Sequence, residues 1–312
     1  MKIAVTGASG FVGGAVCRAL AERGIAVHGY GRRSTVAVGH VGGAVYRSWD
    51  VTRGPLGDAP QVDAVVHCAG SVTDWGPVEG FFRTNLDGTR NVLASFPSAR
   101  FVHVSTASVY DPYRPTVAAR ESEAPVGRYV NGYGASKAAA ERAVLAAMRE
   151  RSAVILRPHA VYGPGDTTLL PRVLSAVRGP ILPAVGDGCQ RISLTSIDNL
   201  VRACLLAACG PVGEGVFNVA DAAPVLLDDA LREILAERGV RARPVYLPLA
   251  VVHPLAAVVE GLFLAARRSR PPRLTRYALG HLAVERTLDI SAARRDLGYE
   301  PAPTCFTGAA EW

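Results

Sequence analysis

Short apolar runs rich in β-branched residues alternate with stretches of helical spacing through the first half of the chain. Runs at 2–6, 25–30, 44–48, 64–67, 101–105 and 153–156 read as strands. Several, such as IAV, AVV and AVIL, are hydrophobic at every position. That pattern is expected where both faces of a sheet are covered. Between them, 13–23, 78–96 and 133–149 have the helical period, the first closed by Gly24 as a C-cap. Strands alternating with helices predict an α/β fold with a parallel sheet and crossover helices. After about residue 161 prolines and glycines crowd around short elements, in YGPGD, RGPILPAVGDG and RPVYLPLAVVHP. A helix at 196–208 and a strand at 216–219 still look sheet-associated. The pattern therefore predicts a second, smaller lobe assembled from 162–189 and 223–312, with 1–161 and 190–222 forming the first domain.

Residues 247–266 are rich in Leu, Ala and Val but are interrupted by His253, Pro254 and Glu260. The interruption argues against a membrane span. A core helix is expected, with an apolar lid or a helix resting on lipid as alternatives. At 312 residues and 49% hydrophobic, the chain can bury a full core, and a charged fraction of 20% gives no sign of disorder. The net charge of +7 would admit nucleic acid, but the arginines are scattered and not interleaved with aromatics, so none is expected as a partner. One dense group exists, Arg267, Arg268, Arg270, Arg273 and Arg276. Six cysteines form no C-x-x-C pair and have no histidine at ligand spacing, which predicts a reduced, cytoplasmic protein without a metal. The sequence opens MKIAVTG, directly into a strand, so no signal peptide is expected.

Candidate chemistry begins at that first strand. It runs into TGASGFVGGAV, which sets Gly7, Gly10 and Gly13 at G-x-x-G-x-x-G spacing before a helix. Such glycines allow a tight turn, close backbone approach to a pyrophosphate, and close packing of helix on strand. The fold expectation sharpens to a doubly wound, Rossmann-type sheet that binds a dinucleotide. At the end of the second strand, an acidic residue would mark NAD. The chain reads VHGYGRRS there; Gly31 leaves room, and Arg32 and Arg33 offer planar cations to a 2′-phosphate. NADP(H) is therefore expected over NAD(H). Asp50, before Val51, is either an adenine contact or a turn aspartate.

Arginine supplies 32 of the 34 basic residues, leaving lysine only at Lys2 and Lys137. Lys137 follows Tyr133 by four positions in YGASK, one helical turn away on the same face. An ammonium is a compact charge with three rotatable donors, which a guanidinium is not.

TGASGFVG, HCAG (67–70), NLDGT (85–89), STASVY (105–110), YGASK (133–137), LRPHAVYGPGD (156–166), GDGCQR (186–191) and DISAARRDLGYEP (289–301) occur in one order along nearly the whole chain. Together they resemble the extended short-chain dehydrogenase/reductase family, within the NAD-dependent epimerase/dehydratase superfamily. The resemblance implies Tyr133 as general acid/base, Lys137 lowering its pKa and holding the nicotinamide ribose, and Thr106 bonding the substrate oxygen, with Ser105 as the fallback. It implies cofactor contacts from Gly7, Ser9, Gly10, Phe11, Val12, Gly13, Arg32, Arg33, Asp50, Val51, Cys68, Ala69, Gly70, Tyr133, Lys137, Pro158, His159 and Val161. Substrate contacts would come from Ser71, Thr106, Ala107, Tyr133, His159 and Arg191. His159 is equally readable as a buried structural histidine. Two departures stand out: Asp111 replaces the glycine that usually follows VY, and Cys68 sits in the usual NAG/AAG turn.

Dehydratases of the family carry Asp-Glu after the catalytic hydroxyl; Ala107 and Ser108 stand there instead. The segments SVTDWGPVEGFFRTNLDGT and PRLTRYALGHLAVERTLDISAARRDLGYEP resemble the 3β-hydroxysteroid dehydrogenase-like branch. The expected activity is ketone–alcohol interconversion on an apolar, sterol-, lipid- or polyketide-like small molecule. Arg191 in GDGCQR suits a diphosphate and keeps a nucleotide-sugar epimerase or reductase as the alternative; a non-catalytic NADP-binding regulator is the third. A homodimer through 78–96 and 133–149 is a family-level expectation.

Overall fold

The computed structural model describes residues 1–266, 268, 272 and 275–312. Strands and helices are numbered along the chain. A central sheet contains β1 (Lys2–Thr6), β2 (Ala26–Gly31), β3 (Val45–Ser48), β4 (Ala64–His67), β5 (Arg100–Val104), β7 (Ala153–Pro158) and β12 (Gly215–Val219). These seven strands are parallel, in the order β12-β7-β5-β4-β1-β2-β3. The order reverses beside β1, so the crevice at the carboxyl ends of β1 and β4 lies at the switch point of a doubly wound sheet.

Alternation along each strand assigns its side chains to two cores. Ile3 and Val5 pack with Val16 and Leu20 of α1 (Phe11–Glu22) and with Leu200 and Cys204 of α6 (Ile197–Cys209). Ala4, Val65 and Ile155 face the other way, onto Val92 and Val144. Val92 belongs to a helical stretch that the sequence pattern predicts as continuous over 78–96. The structure divides it into α2 (Val78–Phe82), a π-helical turn (Arg83–Asp87) and α3 (Gly88–Ser95). Val144 lies on α4 (Gly132–Ala147). Gly24 closes α1 in the left-handed region (φ 70°), as its place after the periodic run predicts.

A second sheet has the order β13-β10-β15-β6. It joins β10 (Arg191–Ile192), β13 (Val225–Leu226) and β15 (Arg286–Leu288) to β6 (Thr116–Ala119), a strand from the first half of the chain. Two small pairings complete the set: β8 (Val161–Tyr162) with β11 (Thr195–Ser196), and β9 (Ile181–Val185) with β14 (Arg243–Leu247). Around them pack α5 (Leu169–Ala176) and α7 (Leu227–Glu237) over a core of Leu170, Leu182, Leu231 and Phe306.

The apolar stretch at 247–266 forms α8 (Leu249–Ala265), with Pro254 inside the helix. Val252, Ala256 and Glu260 face inward, whereas Val251, Leu255, Val258 and Leu262 are exposed, so α8 is only half a core helix. Among the described residues, no helix is long and apolar enough to cross a membrane. Glu260 pairs with Arg276 at 2.6 Å, joining α8 to α9 (Arg276–Leu282). Of the clustered arginines, Arg267, Arg270 and Arg273 lie outside the described residues.

Candidate active site

The glycine-rich turn leaves β1 and enters α1 as its spacing predicts. Gly7 sits at φ 73°, where a Cβ would come within 2.7 Å of the Ala69 nitrogen. A Cβ on Gly13 would overlap the Gly7 carbonyl oxygen. Bare backbone is thus required on both sides of the turn. No side chain caps the first turn of α1 at Gly10, so its amides, including those of Phe11 and Val12, face the crevice as an anion-binding end. Ser9 stands beside Gly31, whose Cβ would lie 2.5 Å from the Ser9 hydroxyl. This cradle fits a dinucleotide pyrophosphate.

Arg32 and Arg33 follow β2 directly and are exposed. Asp50 accepts from the Thr52 amide (3.0 Å) and hydroxyl (2.8 Å) and opens the 3₁₀ turn that starts at Val51. Of its two sequence readings, the turn aspartate is the one with visible partners. Cys68, Ala69, Gly70 and Ser71 continue from β4. Gly70 lies so close to Asn85 and Lys137 that a Cβ would sit 3.1 Å from Asn85 Oδ1 and 3.4 Å from Lys137 Nζ. Asn85, which the sequence reading did not single out, accepts from the Ser71 amide at 2.8 Å and donates to the Ser136 hydroxyl at 2.9 Å. It lies in the π-helical turn, a common distortion at functional sites.

Asn131 caps α4 by accepting from the Gly134 amide at 3.2 Å, and the helix carries Tyr133 and Lys137 into the interior. Both are nearly inaccessible, at 8% and 4% exposure. Thr106, just beyond β5, lies near enough to the Tyr133 phenol for its hydroxyl to favour the ionised form, while its own hydrogen bonds are with the Ser108 amide and hydroxyl, both at 3.1 Å. Ser105 turns away and donates to Glu141 at 2.5 Å, where a fully buried Arg157–Glu141 pair closes at 2.7 Å. The geometry therefore brings Thr106 to Tyr133 and withdraws Ser105. Burial raises the phenol's pKa, and the Thr106 hydroxyl opposes that rise. Burial pushes the Lys137 ammonium down to about 8, and it donates to the Val104 carbonyl at 2.8 Å.

A cavity beside Tyr133 is lined by Ala107, Ser108, Tyr129, His159, Tyr277 and Arg286, among others. His159 follows Pro158 at the end of β7 and precedes Val161. Its Nδ1 lies 2.7 Å from the Ser193 carbonyl, and burial pushes its pKa down to about 4. It is thus both a buried, hydrogen-bonded histidine and a wall of the cavity. Arg191 is elsewhere: exposed on β10, it lines a second cavity with Pro224 and Asp229 and donates to the Pro224 carbonyl at 3.4 Å. No cluster of metal ligands occurs among the described residues.

Residues 3–220 match the model of the NAD dependent epimerase/dehydratase family. The chain belongs to that family. As an extended short-chain dehydrogenase/reductase, it is an NAD(P)-dependent oxidoreductase of ketoreductase type. It is 33% identical to a 2-alkyl-3-oxoalkanoate reductase of Stenotrophomonas maltophilia, over 96% of this chain and 95% of that one. A ketoreductase of Stigmatella aurantiaca, which acts on a farnesylated dihydroquinoline oxide, is 34% identical over 96% and 92% of the two chains. Among solved structures, the UDP-glucose 4-epimerase of Thermotoga maritima shares the fold of this family member. Its TM-score is 0.75 at 22% identity, covering 100% of this chain and 97% of the other.

Proposed function

We propose that the chain is an NADP(H)-dependent reductase interconverting a ketone and a secondary alcohol on an apolar, sterol-, lipid- or polyketide-like substrate. The observation that carries this reading is the meeting of Tyr133 and Thr106, with Lys137 one turn along α4, beside a glycine turn that fits a dinucleotide. When bound, the nicotinamide supplies the hydride. The chain's own groups handle the oxygen. Tyr133 gives its proton to the ketone oxygen, while Thr106 hydrogen-bonds the same oxygen and fixes the phenol's direction. Lys137 is placed to hold a ribose hydroxyl. Arg32 and Arg33 are free to meet a 2′-phosphate, and β2 ends without a carboxylate to oppose one.

Similarity to reductases over nearly the full chain supports net reduction. Arg191, the residue that favoured a nucleotide sugar, occupies a separate cavity. The test is NADPH oxidation by the purified protein with long-chain keto substrates and with sugar nucleotides. Ketone-dependent oxidation is expected, and Tyr133→Phe should lower kcat by about a hundredfold or more. Tightly retained NAD without net cofactor consumption would overturn the proposal.

A further inference from the structure

Three consecutive residues at the end of β5 each meet one face of α4. The Val104 carbonyl accepts from Lys137 Nζ at 2.8 Å, the Ser105 hydroxyl donates to Glu141 at 2.5 Å, and Thr106 lies beside the Tyr133 phenol. On the helix their partners stand at 133, 137 and 141, a four-residue spacing that lines them up one turn apart. Tyr133 and Lys137 act on the ketone oxygen and the ribose. Glu141, fully buried, has no such task.

A carboxylate shut away from water stays ionised only where partners replace its hydration. Arg157, on β7 and equally inaccessible, supplies them side-on. Its Nε donates to Glu141 Oε1 at 3.0 Å and its Nη2 to Oε2 at 2.7 Å. The remaining guanidinium hydrogens go to the Glu121 and Ala124 carbonyls, at 2.8 and 3.0 Å, and to the Tyr110 phenol at 3.4 Å. The cation is thus held on every edge, and the carboxylate with it. Two apolar side chains could fill the same space at comparable stability, so stability alone does not account for burying this pair.

What an apolar pair would lack is a negative charge behind Lys137. The titratable groups facing the ammonium from neighbouring strands carry none near neutrality. Burial keeps Cys68, after β4, as the thiol, and keeps His67 on β4 and His103 on β5 as neutral imidazoles. On α4 itself, burial favours the neutral Tyr133 phenol, whereas Glu141 favours the charged form of Lys137 against the effect of burial. We propose that Glu141, clamped by Arg157, is a positioning residue of this site. Its carboxylate sets Ser105, and with it Thr106, against the face of α4 that carries Tyr133 and Lys137, and it stands as the counter-charge one turn beyond the ammonium. This rests on the ketone-reductase reading and deepens it.

Lysine occurs only at Lys2 and Lys137, so NMR of the protein carrying isotope-labelled lysine follows the Lys137 ammonium through a pH titration, with Lys2 as the exposed reference. In Glu141→Gln the Lys137 midpoint should fall by about one pH unit while that of Lys2 stays in place. The alkaline limb of kcat/KM should move down with it. An unmoved Lys137 midpoint would refute the counter-charge. Should Glu141→Gln not fold, Glu141→Leu combined with Arg157→Met leaves neither charge unpartnered; a smaller fall in the same direction is expected there, and no movement refutes the proposal. Ser105→Ala keeps the ion pair whole and tests the positioning. It should lower kcat for NADPH oxidation roughly tenfold, with KM for NADPH within about twofold of wild type. Wild-type kcat in Ser105→Ala would overturn the positioning while leaving ketone reduction standing. If no ketone supports NADPH oxidation, the reductase reading fails, and the lysine titration, which needs no substrate, decides the role of Glu141 by itself.

Discussion

Lys137 combines three properties that support its proposed task. It is a lysine where 32 of 34 basic residues are arginine, it is 4% exposed, and its ammonium is lowered to about 8 by burial. A guanidinium would keep the charge but add a planar fork in a space already bounded by Val104, Gly70 and Asn85. Lys137→Arg should therefore lower kcat/KM by about a hundredfold, measured as NADPH oxidation, while wild-type thermal stability is largely kept. The lowered pKa also gives a pH dependence. The charged form predominates below about 8 and is lost above it, so kcat/KM for reduction should fall as pH rises through about 8. The proposed preference for NADP(H) likewise rests on single side chains. Replacing Arg32 and Arg33 with alanine should raise KM for NADPH roughly tenfold more than KM for NADH, because only the former carries a 2′-phosphate for a charge-assisted contact.

At the scale of elements, the α1 turn is the most constrained piece of backbone. Gly13→Ala would drive a methyl group into the Gly7 carbonyl and push α1 off β1. Loss of NADPH binding, read by fluorescence titration, should exceed the loss of thermal stability, since the displaced amides are those aimed at the phosphates. This turn, the parallel strands and the Tyr133–Lys137 face were legible in the sequence because each is encoded locally, in spacing and continuous hydrophobicity. The break of 78–96 into α2, a π-helical turn and α3 was not, because Asn85 acquires its purpose from Ser71 and Ser136, partners that no periodicity reveals. The same holds for β6, whose exposed Val117 reads as loop until β15 arrives beside it. Ser108 and Tyr277 meet across 169 residues of sequence. The motif puts Thr106 ahead of Ser105; that Ser105 donates to Glu141 was not legible in the sequence.

At the scale of the whole molecule, two buried histidines are held in their neutral forms. Burial lowers His67 to about 3, with Lys137 adding to the effect, and lowers His159 to about 4. Both values lie below the 6.5 of an exposed histidine, so the unfolded chain takes up protons that the folded chain refuses. Their contribution to stability is complete above about pH 6.5 and declines as pH falls toward 4 and then 3. At pH about 5, each should cost roughly 2 kcal/mol relative to neutrality. Urea midpoints at neutral and mildly acidic pH would measure the loss, and His159→Gln should remove its share. A lysine-poor exterior has a separate consequence, for covalent labelling. Amine-directed acylating reagents meet Lys2 at the surface, whereas Lys137 is shut in the site. Adduct formation at Lys137, followed by peptide mass mapping, would therefore register opening of the enclosure around it, and a ligand that keeps that enclosure shut would suppress it.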